Sequence, residues 1–172
     1  MHARDPIGRA VAYAVDVLRQ GAGIAEVADR AGLAFEDQIG PHLRHVVEHY
    51  EALLSGIDRG VIDYDNRSRD REIECDVARA RARFEALAEG FLQRLEQPWP
   101  DAIAVAFDGG IGGDDRFVSG STPLRELLFV ATHAVHHYAL LRLALKQRGL
   151  NLPEAIGKAA ATLRYERERQ AG

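Results

Sequence analysis

The sequence is poor in several residue types that would point to a particular class of protein. Its 172 residues include one cysteine, so an intramolecular disulfide and a zinc site built from several thiolates are both excluded. No apolar run approaches the roughly 18 residues that a membrane helix needs. The 22 basic and 26 acidic side chains give a formal net charge of −4, without the basic excess of a typical nucleic-acid-binding protein.

The remaining composition is that of an ordinary soluble domain, with 47% apolar and 28% charged residues. The length suits one hydrophobic core, so we expect a single domain over residues 1–172, with a C-terminal tail that frays from about residue 166. The N-terminal letters MHARDPIG lack the apolar core of a signal peptide. We therefore expect a cytoplasmic protein that binds neither membrane nor nucleic acid.

Apolar residues recur at helical spacing in four long segments, which predicts an all-α fold built as a four-helix bundle. The segments cover residues 7–32, 35–57, 73–95 and 121–148. Gly21 and Gly23 weaken the first pattern, which fits either one helix or two short ones. In the second segment, the pair Gly40-Pro41 leaves open whether the helix starts there or at Phe35.

The connections between these segments differ in character. Residues 58–72 are densely charged and predict a loop, with Tyr64 as its hydrophobic anchor. Short alternating stretches at 102–107 and 116–119 flank a glycine-rich turn and predict a small β-hairpin between the third and fourth helices. Thr122 and Pro123 suit the cap and the first turn of the fourth helix.

Six of the seven histidines fall within two of the helical segments, and only His2 lies apart. They are His42, His45 and His49 in the second segment and His133, His136 and His137 in the fourth. The first three share one helical stripe, and the spacing of His133 and His137 places their side chains on one face. Facing helices of a bundle can combine such side chains into a metal site, and three histidines leave ligand positions open, as in catalytic sites. The alternative is a set of structural histidines, each bonded to a carbonyl or hydroxyl group.

Two segments resemble the DinB/YfiT-like superfamily of metalloenzymes, and the likeness extends over about residues 7–165. They are IGPHLRHVVEHYEALLSGIDRGVIDYDNRSRD at 39–70 and STPLRELLFVATHAVHHYALL at 121–141. The resemblance implies an up-down-down-up four-helix bundle, often dimeric, that binds a divalent metal ion such as zinc, nickel or iron. It implies one ligand from the second helix, matched here by His45, and two from an HxxxH pair, matched by His133 and His137. His42, His49 and His136 are then supporting or alternative ligands.

By this resemblance we expect a metal-dependent enzyme that acts on a small molecule, as a transferase for a low-molecular-weight thiol or its adduct, or as a hydrolase. The alternative is a non-catalytic dimeric bundle that binds a small ligand or a metal without turnover. Neither Glu48 nor Glu126 is identifiable as a general base, and both are expected to be solvated or to interact with a helix dipole. Arg67 or Arg69 could bind an anionic substrate, or the loop could simply be held by salt bridges.

Overall fold

The computed structural model describes residues 5–172, which are mostly helical. The elements run in the order α1 Pro6–Arg30, α2 Phe35–Arg59, β1 Val61–Asp63, α3 Arg71–Cys75, α4 Val77–Arg94, β2 Ile103–Gly109, β3 Asp115–Ser121, α5 Pro123–Gln147 and α6 Ala160–Gln170. The helical content agrees with the predicted all-α class, to which the structure adds a small sheet. His2 lies outside the described residues.

The weak centre of the first apolar pattern does not interrupt its helix, because α1 is continuous from Pro6. A Cβ atom at Gly21 would lie 2.5 Å from the ring of Phe84 and from the hydroxyl of Tyr138. Those rings belong to α4 and α5, so glycine permits the close approach of three helices. This packing offsets the usual cost of a glycine inside a helix.

The second helix begins at Phe35 rather than at the glycine-proline pair, so Pro41 lies inside α2. Gly40 supports this arrangement, because its Cα faces the carbonyl group of Glu74 on α3, where no side chain would fit. α2 ends at Gly60, which adopts the left-handed conformation with a φ of 77°. A glycine in this conformation is a common end of a helix, and the sequence offers both Gly56 and Gly60 as stop signals for the second segment.

The four long helices build the core. α1 packs against α4 and α5, and α2 packs against the same two helices. The apolar patterns of the third and fourth segments include Leu92 and Leu128 and so predict that both face inward, but these side chains are 38% and 45% exposed. Each follows a fully buried residue, Phe91 or Leu127, and successive helical residues point about 100° apart, so the predicted stripe was too wide. The largest fully buried side chains include Tyr50, Tyr138, Phe84, Phe91, Leu18, Ile24, Ile39 and Leu43.

The predicted hairpin is present, as antiparallel β2 and β3 with Phe107 opposite Phe117. The prediction of a loop over residues 58–72 was wrong in part, because β1 lies within this segment. It pairs in parallel with β2, and Val61 is opposite Ala104. The sheet order is β1-β2-β3. A strand of three residues is too short for alternation to be visible in the sequence.

The helix predicted over residues 73–95 is divided at Asp76 into α3 and α4. The Asp76 carboxylate accepts hydrogen bonds from the backbone N–H groups of Ala78 and Arg79. It therefore caps α4, as an aspartate at this position commonly does. The apolar pattern continues across the cap, which is why the sequence predicted one helix.

After α5 the chain turns at Gly149 and folds back along the same helix. Arg142 donates hydrogen bonds to the carbonyl groups of Pro153, Glu154 and Ile156. The last helix, α6, includes the segment from about residue 166 that was expected to fray, and it buries none of its side chains. Among the described residues, no helix combines the length and apolarity needed to cross a bilayer.

Candidate metal centre

Histidines of α2 and α5 meet in one cluster between the two helices. His45 Nε2 lies 3.0 Å from His133 Nε2, and His133 Nε2 lies 3.2 Å from His137 Nε2. His42 Nδ1 lies 2.8 Å from His137 Nδ1. The three ligands expected from the sequence are therefore adjacent, and His42 extends the chain of contacts.

His49 belongs to the same cluster and is its most buried member. The nitrogen atoms that His45, His49 and His133 offer all lie within 4.8 Å of one another, close enough for one ion to bind all three. His49 Nδ1 donates to the carbonyl oxygen of His45 at 2.8 Å, and its ring stacks on Tyr64. A neutral imidazole carries a single N–H group, so His49 Nε2 keeps a free lone pair.

His136 is the exception among the six helical histidines. Its side chain is exposed, and its ring centroid lies 5.8 Å from that of His137. No hydrogen bond joins it to another histidine within the described part of the chain. It stands at the edge of the cluster, so of the sequence candidates it is the one that the fold keeps apart.

Burial keeps the clustered imidazoles neutral. It lowers the pKa of His45 to about 2, with further lowering by the neighbouring His49 and Arg67. It also lowers the pKa of His49 and of His137 to about 4. The pKa of His133 is lowered for the same reason. Neutral rings present lone pairs, which a metal ligand requires.

Arg67 reaches the cluster from the segment after β1. Its Nη1 donates to His45 Nδ1 at 2.7 Å and lies 3.4 Å from Glu48 Oε2. Glu48 also accepts hydrogen bonds from Ser68 Oγ and from the backbone N–H of Asp70, at 3.3 and 2.9 Å. The expectation that Glu48 is solvated was therefore wrong, because the segment that follows β1 covers it and leaves it 2% exposed.

The two candidate anion-binding arginines differ in environment. Arg67 is engaged with Glu48 and His45, whereas Arg69 is exposed and adopts a positive φ of 50°. Arg67 was missed as part of the cluster because its position depends on the pairing of β1 with β2. A residue in a non-periodic segment gives no sequence signal for such a contact.

A second carboxylate is fully buried near the cluster. Glu126, in the first turn of α5 as the sequence indicated, is 0% exposed rather than solvated. The Tyr64 hydroxyl donates to Glu126 Oε2 at 2.8 Å, while Ser121 Oγ and Arg125 Nη1 donate to Oε1. Burial and the Glu126 charge raise the pKa of Tyr64, which remains a neutral donor. Tyr64 is buried, so its predicted role as the anchor of its segment is confirmed.

Replacing Tyr64 with phenylalanine is expected to lower the free energy of unfolding by about 1–3 kcal/mol, because a buried carboxylate loses a donor. Urea denaturation measures the change. The exposed Tyr165 provides a matched control, and Tyr165→Phe should alter the free energy by less than about 0.5 kcal/mol. Equal effects of the two changes would show that the Tyr64–Glu126 bond contributes nothing.

A cavity of about 570 Å³ lies beside the cluster, with His49 on its wall. Tyr64, Phe107 and Phe129 supply aromatic rings to this cavity, and Arg125 supplies a cation. A second cavity, of about 820 Å³, is lined by Glu48 and Arg67 but by no histidine. The smaller cavity is therefore the one that could hold a molecule against the cluster.

Comparisons with known proteins leave the family of this chain undefined. No family model matches it, and no solved structure matches it. A curated protein, FK506-binding protein 5 of Rhizopus delemar, is 27% identical over 107 residues. That match covers 61% of this chain and spans about a quarter of the relative, 27% of its length. What is said of the function below is therefore argued from the histidine cluster.

Proposed function

We propose that the chain binds a divalent metal ion through His133 and His137 of α5 and one histidine of α2. The observation that carries the proposal is the spacing of the ring nitrogens, 3.0 Å for His45–His133 and 3.2 Å for His133–His137. Ligand nitrogens that surround a tetrahedral ion with bonds of 2.0–2.1 Å lie about 3.3 Å apart. The cluster is thus already near the dimensions of a metal site.

The donor set also fits a metal of a particular kind. The cluster offers neutral imidazole nitrogens, and the carboxylate of Glu48 is bound to Arg67. Imidazole suits zinc, nickel and iron, whereas magnesium and calcium prefer oxygen ligands. We therefore propose zinc, nickel or iron as the cofactor.

The proposed fold is a four-helix bundle of the DinB/YfiT type. Its support is the packing of α1 and α2 against the same pair of helices, α4 and α5. The sequence resemblance over residues 39–70 and 121–141 covers the two helices that carry the histidines. In this proposal, α3, α6 and the small sheet are additions to the bundle.

The proposed activity is that of a metal-dependent transferase acting on a low-molecular-weight thiol, or of a hydrolase. A divalent ion with an open ligand position lowers the pKa of bound water or thiol, and so supplies a nucleophile at neutral pH. The 570 Å³ cavity has the size of a small-molecule site. Within it, Phe107 and Phe129 offer apolar contacts, and the largely exposed Arg125 offers a hydrogen-bond donor for an anionic group.

A non-catalytic protein that binds a metal or small ligand as a homodimer is the second candidate. One observation favours it: the two buried carboxylates near the cluster are already bonded, Glu48 to Arg67 and Glu126 to Tyr64. Neither is free to act as a general base. The exposed Leu140 and Leu143 on α5 support self-association.

For either candidate we propose a cytoplasmic location. We also propose that the protein has no nucleic-acid partner, because its net charge is −4.

Elemental analysis of protein purified without a metal-affinity tag tests the metal centre. We expect about one zinc, nickel or iron ion per chain and a higher melting temperature when the matching ion is added. Absence of stoichiometric metal, together with unchanged melting on addition of each ion, would overturn the proposal. Metal binding without turnover of thiol adducts, esters or amides would select the non-catalytic candidate.

A further inference from the structure

The hydrogen bond between Arg67 and His45 differs from the bonds that join two histidine rings of the cluster, because its direction is fixed. A bond between two neutral imidazoles can run in either direction, because each ring carries one N–H group and one lone pair. A guanidinium group has no lone pair to offer and can only donate. His45 Nδ1, at 2.7 Å from Arg67 Nη1, must therefore accept, so the proton of this neutral ring lies on Nε2.

This constraint extends to the next ring. With a proton on Nε2, His45 donates to His133 Nε2 at 3.0 Å. That bond occupies the one lone pair of His133 Nε2, so His133 carries its own proton on Nδ1. His42 Nδ1 and His137 Nδ1, 2.8 Å apart, form a separate bond whose direction Arg67 does not fix. In the metal-free protein, the guanidinium group of Arg67 thus sets the tautomers of His45 and His133.

Arg67 is held in this position by a buried counter-ion. Its Nη1 lies 3.4 Å from Oε2 of Glu48, whose side chain is almost fully buried. Swinging the guanidinium away would leave this carboxylate without its nearest cation, since Arg44 approaches only to 4.0 Å. Breaking a buried ion pair in this way is costly.

His137 and His49 can each present a lone pair on Nε2 to an ion, but His45 cannot. The His42–His137 bond can run in either direction, so His137 can carry its proton on Nδ1 and leave Nε2 bare. His49 already has its proton on Nδ1, where it donates to a carbonyl oxygen at 2.8 Å, and Nε2 is bare. A carbonyl partner on the second ring nitrogen is the usual arrangement of a histidine that binds a metal.

We propose that Arg67 is a positioning residue that holds the proton of His45 on Nε2, so that His49 is the ligand from α2. His133 and His137 complete the set, and His45 stays outside it, because the lone pair of His133 Nε2 then goes to the ion. The nitrogens of His49 and His133 belong to the group that lies within 4.8 Å, and His137 Nε2 lies 3.2 Å from His133 Nε2. This ligand set departs from the one implied by the sequence resemblance, which matched His45. It rests on the proposed metal centre, whereas the Arg67–His45 hydrogen bond itself does not depend on a metal.

The tautomers can be measured in the metal-free protein by long-range ¹⁵N–¹H NMR of labelled histidines. We expect His45 to carry its proton on Nε2 and His49 on Nδ1. Arg67→Met should give His45 a mixture of tautomers, whereas Arg69→Met, a change to an exposed arginine of the same segment, should leave it unaltered. A proton on Nδ1 of His45 in the wild type, or no response to Arg67→Met, would overturn the proposal. The double variant Glu48→Gln/Arg67→Met, which leaves no unpaired carboxylate, repeats the test if the single variant is poorly folded.

Competition titrations with zinc test the ligand assignment. We expect His49→Ala to weaken zinc binding more than about 100-fold and His45→Ala less than about 10-fold. Adding Arg67→Met to His49→Ala should restore at least about 10-fold in affinity, because His45 is then free to present Nε2. A purely structural role for Arg67 predicts further loss instead.

The outcomes of these experiments distinguish the proposed metal centre from the proposed role of Arg67. If His45→Ala is the more damaging change, or if the double variant shows no recovery, the role given to Arg67 is wrong and the metal centre stands. If the wild-type protein binds no metal, the metal centre fails, and the NMR measurement still decides whether Arg67 sets the tautomer of His45.

Discussion

Replacing His133 with alanine is expected to abolish stoichiometric metal binding while the helices remain folded. Its Nε2 lies 3.0 Å from that of His45 and 3.2 Å from that of His137, and its ring centroid lies 4.6 Å from that of His49. Every ligand set that the geometry allows therefore includes His133. Loss of this ring should weaken zinc binding by more than about 100-fold, beyond the effect of losing an outer hydrogen-bond partner.

Metal content after dialysis, with circular dichroism on the same samples, checks this result. His133 is half-buried and faces the cluster rather than the apolar core, so the cooperative melting of the metal-free protein should be retained. His136→Ala is the matched control, since it removes an exposed imidazole from the same helix and should leave the metal in place. An unchanged metal content in His133→Ala would exclude a site between α2 and α5.

Among the glycines that the structure describes, Gly40 is expected to lose the most stability when it is replaced with alanine. The new Cβ would lie 1.8 Å from the carbonyl oxygen of Glu74. A backbone carbonyl cannot rotate away as a side chain can, so α3 must move off α2. We expect the free energy of unfolding to fall by about 3 kcal/mol or more, at the upper end of the overpacking range.

Urea denaturation of Gly40→Ala and Gly23→Ala would test this expectation with one chemical change at two sites. Gly23 lies within α1, and a Cβ there meets nothing within 4 Å. Alanine at this position should therefore raise the free energy of unfolding by about 0.5–1 kcal/mol, as expected when glycine leaves a helix. If both variants shift stability in the same direction, the contact between α2 and α3 does not constrain residue 40.

The helices were predictable because their signals are local. Pro6 marks the start of α1, Gly60 the end of α2, and Thr122 with Pro123 the start of α5, and each acts through its own backbone conformation or capping bond. The division of the third helix at Asp76 and the strand β1 were not predicted. Asp76 interrupts no apolar pattern, and β1 depends on a partner strand distant in sequence.

The meeting of the histidines could be predicted from their spacing in the sequence, whereas the hydrogen bonds that surround them could not. Residues at helical spacing on two helices that face one another were expected to meet, and His45, His133 and His137 do so. The burial of Glu48 and the contact of Arg67 with His45 depend on how the segment after β1 lies across α2. Such a path is set by tertiary pairing, so the choice between His45 and His49 could not be made from the sequence.

The separation of these contacts along the chain has a consequence for folding kinetics. The histidine contacts join positions 88 and 95 residues apart, and the segment that carries Arg67 follows a strand whose partner lies beyond α4. Contacts between distant positions form only at the entropic cost of closing long loops, and this cost slows folding. The helices are expected to gain structure before the imidazoles meet, so refolding followed at the histidines should report one of the last steps.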